Sequence, residues 1–202
     1  MKTALAALPL TLAIAAWVPA TAHEIHAHGH AQSKAEGEPY SRGPATVVIP
    51  AVTLQRADGK RVRLQADLDD GRPLLVNFVY TTCTAICPTM TRTFAEFQQR
   101  LGAEAAQVRM ASVSIDPEQD TPERLAAYAK QFGAGAQWTF YTGTNEASVA
   151  VQKGFGAWRL DKMSHTPATW LRAAPGKPWL RLDGFTTSAE LVQEYRRLIA
   201  SR

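Results

Sequence analysis

The chain has 202 residues, is 46% hydrophobic and 20% charged, and carries a formal net charge of +4. That composition suits one globular domain with its own core, and it excludes a disordered, collagen-like or multi-span membrane protein. No Lys/Arg block accompanies the mild positive charge, so nucleic acid is not indicated as a partner. Only two cysteines and five histidines are present, and both sets are placed very unevenly.

The chain opens with Lys2, then runs apolar from Ala4 to Val18 and ends in Pro19-Ala20-Thr21-Ala22. A short positive start, an apolar stretch and an A-x-A ending make a secretory signal over residues 1–22, with cleavage expected after Ala22. The stretch is just long enough to span a bilayer, so a membrane association is expected only if it is kept as an anchor. Pro9, Pro19 and the A-x-A site favour cleavage, and export places the protein in the bacterial periplasm, where disulfides are permitted. Residues 23–44 are rich in His, Ala, Glu and Gly and lack hydrophobic periodicity, which reads as a flexible tail ahead of a domain over residues 45–202.

Val52-Thr53-Leu54 and Val62-Arg63-Leu64 flank Ala57-Asp58-Gly59-Lys60, the signature of a β-hairpin. Leu74 to Tyr80 is nearly all apolar, as in a central strand. From Pro88 the pattern turns helical, with Met90, Phe94, Phe97 and Leu101 on one face. Val108 to Ile115 is a second central strand. Thr121-Pro122-Glu123 opens a helix with a capping hydroxyl, a proline in its first turn and an early acid; Leu125, Ala129 and Phe132 are its buried stripe and Gly133 its end. A strand over Trp138–Thr142 and a helix over Asn145–Lys153 follow. Thr169–Ala173 and Trp179–Leu182 read as strands around Pro175-Gly176-Lys177. Thr187 with Glu190 forms a capping box ahead of a last helix whose inner face is Leu191, Tyr195, Leu198 and Ile199. Strand–helix alternation gives a mainly parallel core, and the late hairpin adds antiparallel strands. The expected fold is α/β: a thioredoxin-like three-layer α/β/α arrangement with a mixed central sheet and an N-terminal hairpin.

Cys83 and Cys87 lie in YTTCTAICP, between the first central strand and the first long helix. Unpaired N–H groups and the dipole at a helix start stabilise negative charge, so a thiolate there is a better nucleophile and a better metal ligand. The spacing puts the two sulfurs about one turn apart, close enough to chelate one ion or to oxidise together. A structural disulfide closing so short a loop would contribute only about 2 kcal/mol, and a domain of this size does not need it. Two thiolates fall short of a closed zinc site, whereas soft sulfur suits Cu(I), with imidazole the natural third ligand. His165, in KMSHTPATW, is the one histidine of the folded part and lies just before a strand expected to begin beside the cysteine loop. His23, His26, His28 and His30 form a tract dense enough to bind metal, or a tolerated polar tail.

The segment VNFVYTTCTAICPTMT resembles the strand–loop–helix signature of the Sco/SenC family of exported copper-binding proteins, and SVSIDPEQDTPERLAAYAKQF resembles that family's second signature. VTLQRADGKRVRLQADL is similar to its opening hairpin, and His165 ahead of TWLR to its metal-binding histidine. The resemblance spans about Val52 to Ile199. It implies a thioredoxin-like fold that binds one copper ion, Cu(I) or Cu(II), through Cys83, Cys87 and His165. It implies delivery of that copper to the dinuclear copper site of cytochrome c oxidase, with the copper-bearing subunit or another copper or thiol protein as partner. A monomer is expected. Asp116 matches the family's Asp-Pro position and is a candidate to support the ligands, or a turn residue. Ser164 departs from the Asp usual before the family's histidine, and the stretch between Cys87 and His165 is short. Thr166-Pro167 resembles the Thr-Pro of thioredoxin-type oxidoreductases, where a cis proline faces the reactive cysteine.

Two other chemistries stand beside copper transfer, which is not itself an enzyme activity. In a thiol–disulfide oxidoreductase, Cys83 would attack a target disulfide and Cys87 would resolve the mixed disulfide. A peroxidase or redox sensor would need a Thr and an Arg near the reactive cysteine, and Thr81, Thr82 and Arg92 are the candidates.

Overall fold

The computed structural model describes residues 40–200. The signal segment and the histidine tract expected upstream lie outside the described residues. Strands β1 (Tyr40–Ala45), β2 (Thr53–Arg56), β3 (Arg61–Arg63), β4 (Leu74–Val79), β5 (Arg109–Ser114), β6 (Trp138–Thr142), β7 (Ala168–Arg172) and β8 (Trp179–Gly184) form one sheet in the order β1-β8-β7-β4-β5-β6-β2-β3. β4, β5 and β6 pair in parallel and the remaining neighbours are antiparallel. The helices are α1 (Leu64–Leu68), α2 (Ile86–Leu101), α3 (Pro122–Gln131), α4 (Asn145–Gly154) and α5 (Ser188–Ala200).

Side chains alternate along a strand, so each central strand feeds two cores. Leu75 and Val79 of β4 join Met110, Phe140 and Leu182 beneath Phe94 and Phe97 of α2, Leu125 and Tyr128 of α3, and Leu191 and Tyr195 of α5. Leu74, Val76 and Phe78 face the other way, into Ala111, Val113, Tyr141 and Trp170, covered by α1 and by Val151 and Phe155 around α4. Full burial on both faces explains why β4 and β5 read as near-continuous apolar runs. The result is the expected three-layer α/β/α fold with a mixed sheet. Among the described residues no helix is long and apolar enough to cross a membrane.

The local signals fold as read. Thr121 caps α3, its hydroxyl accepting from the Arg124 N–H at 3.3 Å. Thr187 and Glu190 exchange capping bonds of 2.7 and 3.2 Å. The tail expected over residues 23–44 gives way at Tyr40 to a strand. β1 pairs with β8 at the sheet edge, where Gly43 and Pro44 are tolerated because no outer neighbour needs the missing N–H. Glu194 of α5, fully buried, clamps this edge by accepting from Tyr40 Oη at 3.0 Å and Arg42 Nε at 3.2 Å.

Candidate metal centre

The parallel strands point their C-terminal ends at the cysteine loop, the usual place for ligand chemistry in an open α/β sheet. β4 runs into Tyr80–Ala85, which turns at once into α2; the Cys83 N–H donates to the Tyr80 carbonyl at 3.2 Å. Cys83 is half-buried and Cys87, in the first turn of α2, is fully buried; both thiols are free. The Cys87 N–H donates to Cys83 Sγ at 3.3 Å. Burial pushes the Cys83 thiol up, but hydrogen bonds from the Cys87 and Ala85 N–H groups outweigh it, and the net shift is downward. Burial dominates at Cys87 and holds its thiol well above the ordinary range. Two chemically equal residues thus become one accessible, thiolate-prone sulfur and one enclosed thiol.

The loop is fixed from behind by Asp120. Its buried carboxylate accepts from the Thr81 N–H at 3.0 Å, the Thr81 hydroxyl at 2.5 Å and the Ser114 hydroxyl at 2.6 Å, tying the loop to β5. Sequence reasoning passed over Asp120; its signal is the second acid of the Asp-Pro…Asp-Thr-Pro block. Asp116, the acid singled out beforehand, touches neither cysteine. Its carbonyl accepts from the Gln119 and Asp120 N–H groups in a tight turn, and its carboxylate pairs with Lys162 Nζ at 2.7 Å.

Lys162 belongs to the segment that carries His165, residues 157–167, which crosses the same end of the sheet. The Lys162 ammonium also lies 5.8 Å above the Tyr80 ring, and the Tyr80 hydroxyl donates to Met163 Sδ at 3.6 Å. His165 is 7% exposed. Burial lowers its pKa, and a hydrogen bond to the Phe78 carbonyl only partly offsets this, so the neutral imidazole is favoured. A neutral ring with one N–H on a backbone carbonyl keeps its second nitrogen as a donor, which suits metal binding.

The structure nevertheless keeps this ring apart from the sulfurs. Cys83 lines a cleft of about 560 Å³ on the α2–α3 face, with Thr81, Arg92, Tyr128 and Phe132. His165 lines a smaller one of about 140 Å³ with Val149 and Gln152 of α4 and Trp158. Among the described residues no three His, Cys, Asp or Glu side chains are grouped to hold a metal. Cys83 and Cys87 are together, and His165 lines a different cleft. Of the peroxidase candidates, Thr81 and Arg92 do share a cleft with Cys83 while Thr82 is exposed; the Thr81 hydroxyl, however, already donates to Asp120. No peptide bond is cis among the described residues, so the Thr166-Pro167 likeness stops at the sequence.

Comparisons with known proteins place the chain in a family. The chain is 34% identical over 109 residues to the SCO1 protein homolog of Bacillus subtilis, covering 54% of this chain and 55% of that one. It is 31% identical over 87 residues to a protein of Stutzerimonas stutzeri named for copper binding, covering 43% and 42%. The chain therefore spans about half the length of the curated relatives it matches. The fold superposes on BsSco, a member of the Sco family of cytochrome c oxidase assembly proteins in which a disulfide switch has been identified. That match has a TM-score of 0.65 and 28% identity, covering 79% of this chain and 97% of that one. The SCO1/SenC family model matches residues 43–200, almost the whole described fold, and the chain belongs to that family.

Proposed function

We propose that the protein is an exported copper-transfer protein that binds copper through Cys83, Cys87 and His165 and delivers it during assembly of the copper site of cytochrome c oxidase. The observation that carries this reading is the free cysteine pair at the start of α2, one sulfur accessible and thiolate-prone, the other buried one turn away. Soft sulfur donors select Cu(I), and a half-buried one can pass the ion to a partner's thiolates by ligand exchange. His165 completes the set when residues 157–167 turn its free ring nitrogen toward the sulfurs. Kinship with Sco assembly proteins and with a relative named for copper binding supports the same reading. Periplasmic location, and capture of copper by His23, His26, His28 and His30, belong to this proposal.

The test is an anaerobic titration of the reduced protein with Cu(I) and with Cu(II), repeated on Cys83→Ser and His165→Ala. About one tightly held copper per chain is expected, lost in Cys83→Ser and weakened in His165→Ala, in keeping with soft-donor selection. Unchanged affinity in both variants would sink the proposal.

The inequality of the two thiols favours one second reading, disulfide exchange with Cys83 attacking and Cys87 resolving. A mixed disulfide trapped on Cys83 in a Cys87→Ser variant, with turnover indifferent to His165→Ala, would support it over copper transfer.

A further inference from the structure

The cleft that Cys83 lines, about 560 Å³, runs between α2 and α3 and is of small-molecule size. Its α2 wall is one stripe, Pro88, Arg92, Glu96 and Gln99, each about a helical turn from the last. At 1.5 Å per residue the stripe is about 16 Å long, and Cys83 stands ahead of its first residue. The opposite wall is the Tyr128 and Phe132 rings of the α3 side, their centroids 4.8 Å apart.

Two charges in this cleft are uncommitted. Arg92 and Glu96 are spaced as an ion pair on a helix would be. They nevertheless do not pair, and the Arg92 guanidinium has no hydrogen-bond or ion-pair partner among the described residues. Glu96 is held by Ser188, whose hydroxyl donates to its Oε2 at 2.9 Å and accepts from Arg100 Nε at 2.8 Å. A cation and an anion therefore stand side by side along a groove that begins at a sulfur. An α-amino-acid head group carries the complementary pair, a carboxylate for the arginine and an ammonium for the glutamate. Free cysteine is too short, because its head group is one CH₂ from its sulfur, whereas Arg92 lies about 6 Å along α2 from Pro88 and further from Cys83. A γ-glutamyl thiol carries the same head group on a longer arm.

We infer that the α2–α3 cleft binds a small γ-glutamyl peptide thiol or disulfide of the glutathione class and presents its sulfur to Cys83. With the disulfide form, the Cys83 thiolate attacks one sulfur. A new S–S bond joins Cys83 to one glutathionyl unit, the original S–S bond breaks, and the other unit leaves as the glutathione thiolate. Under the proposed function that cap removes a copper donor, but the binding itself needs no copper and goes beyond the copper reading.

The test follows mixed-disulfide formation at Cys83 by mass spectrometry in the full-length Cys87→Ser protein, where the cap cannot be resolved. Rising concentrations of glutathione disulfide are compared with uncharged bis(2-hydroxyethyl) disulfide. The rate should saturate with the first and stay linear with the second. Added Arg92→Gln should slow the glutathione reaction about tenfold by removing a charge-assisted hydrogen bond, with partial rescue by Arg92→Lys and no change for the uncharged disulfide. Added Glu96→Gln, which keeps an acceptor for Ser188, should also slow the glutathione reaction. A bare electrostatic field acting on an anionic disulfide requires the opposite sign, so acceleration in Glu96→Gln overturns the inference. Linear kinetics with both disulfides, equal effects of Arg92→Gln on both, or a Cys83 that reacts with neither overturn it as well. No copper enters the assay, so the copper proposal stands or falls separately.

Discussion

The cysteine loop and the histidine segment meet at the same end of the sheet but are held by different means. The loop is anchored from within: Asp120, fully buried, accepts three hydrogen bonds that fix Thr81 and with it the start of α2. Apart from the buried His165 and backbone bonds at its two ends, the segment 157–167 is held from outside, through the half-exposed Lys162 on Asp116 and one thioether contact to Tyr80. Leu160 is 92% exposed and Trp158 and Met163 also face solvent, so the segment buries little apolar surface. Low burial over its middle, residues 158–164, is what local opening at small cost requires. Under the proposed function this contrast divides the labour: the sulfur pair is held fixed, and the histidine segment is the part that moves.

The largest effect should come from breaking the rigid half. Asp120→Ala leaves the Thr81 N–H and two hydroxyls without their buried acceptor, and a loss of about 2–4 kcal/mol is expected from chemical denaturation. Asp120→Asn, which keeps an acceptor oxygen, should lose less. Equal stability in wild type and alanine variant would show that the loop is not held this way.

A second effect separates the two sulfurs. Iodoacetamide should modify Cys83 far faster than Cys87, with the rate–pH midpoint for Cys83 below the ordinary thiol value of 9.0. Peptide mapping after a short pulse reads this directly, and equal labelling contradicts it.

Acid should act on the histidine arm. His165 is depressed below the ordinary value of 6.5 by burial, so between its folded value and 6.5 the unfolded chain binds more protons than the folded one. Stability contributed here is complete above 6.5 and declines as the pH falls from there toward the depressed value. Replacing His165 with Gln should flatten that part of the stability–pH curve; a curve that keeps its slope assigns the loss to other groups.

The smallest expected change in stability comes from the latch. Lys162→Gln removes an ion pair whose lysine is nearly half exposed, worth about 0.5 kcal/mol. Hydrogen exchange should nevertheless quicken over residues 157–167 and leave residues 80–87 unchanged. Faster exchange in both regions would mean that the two are not independent.

The sequence made legible whatever is encoded within a few residues. The hairpin around Asp58-Gly59, the Thr121 cap and the capping box at Thr187 depend on neighbours in the chain, and each forms as read. The placement of both cysteines at the start of α2 followed from an apolar run giving way to a helical period. Long-range pairings were not legible. YSRGPA looks like tail because its partner, β8, lies more than a hundred residues away and its Gly and Pro discourage a strand. Asp120 looks like helix-start punctuation until the fold brings Thr81 beside it. His165 was correctly placed before a strand, but its orientation depends on which face of the sheet end receives the ring, and spacing carries no information about that.

The central claim is that a preformed cysteine pair is completed by movement of His165, and the most direct measurement is the ¹⁵N NMR spectrum of the His165 imidazole. It is recorded on the reduced full-length protein before and after one equivalent of Cu(I), with His165→Ala used to assign the signals. The account predicts that copper shifts the His165 ring nitrogens in the wild type and fails to do so in Cys83→Ser. Copper held by the cysteines with the His165 ring signals unmoved would contradict it.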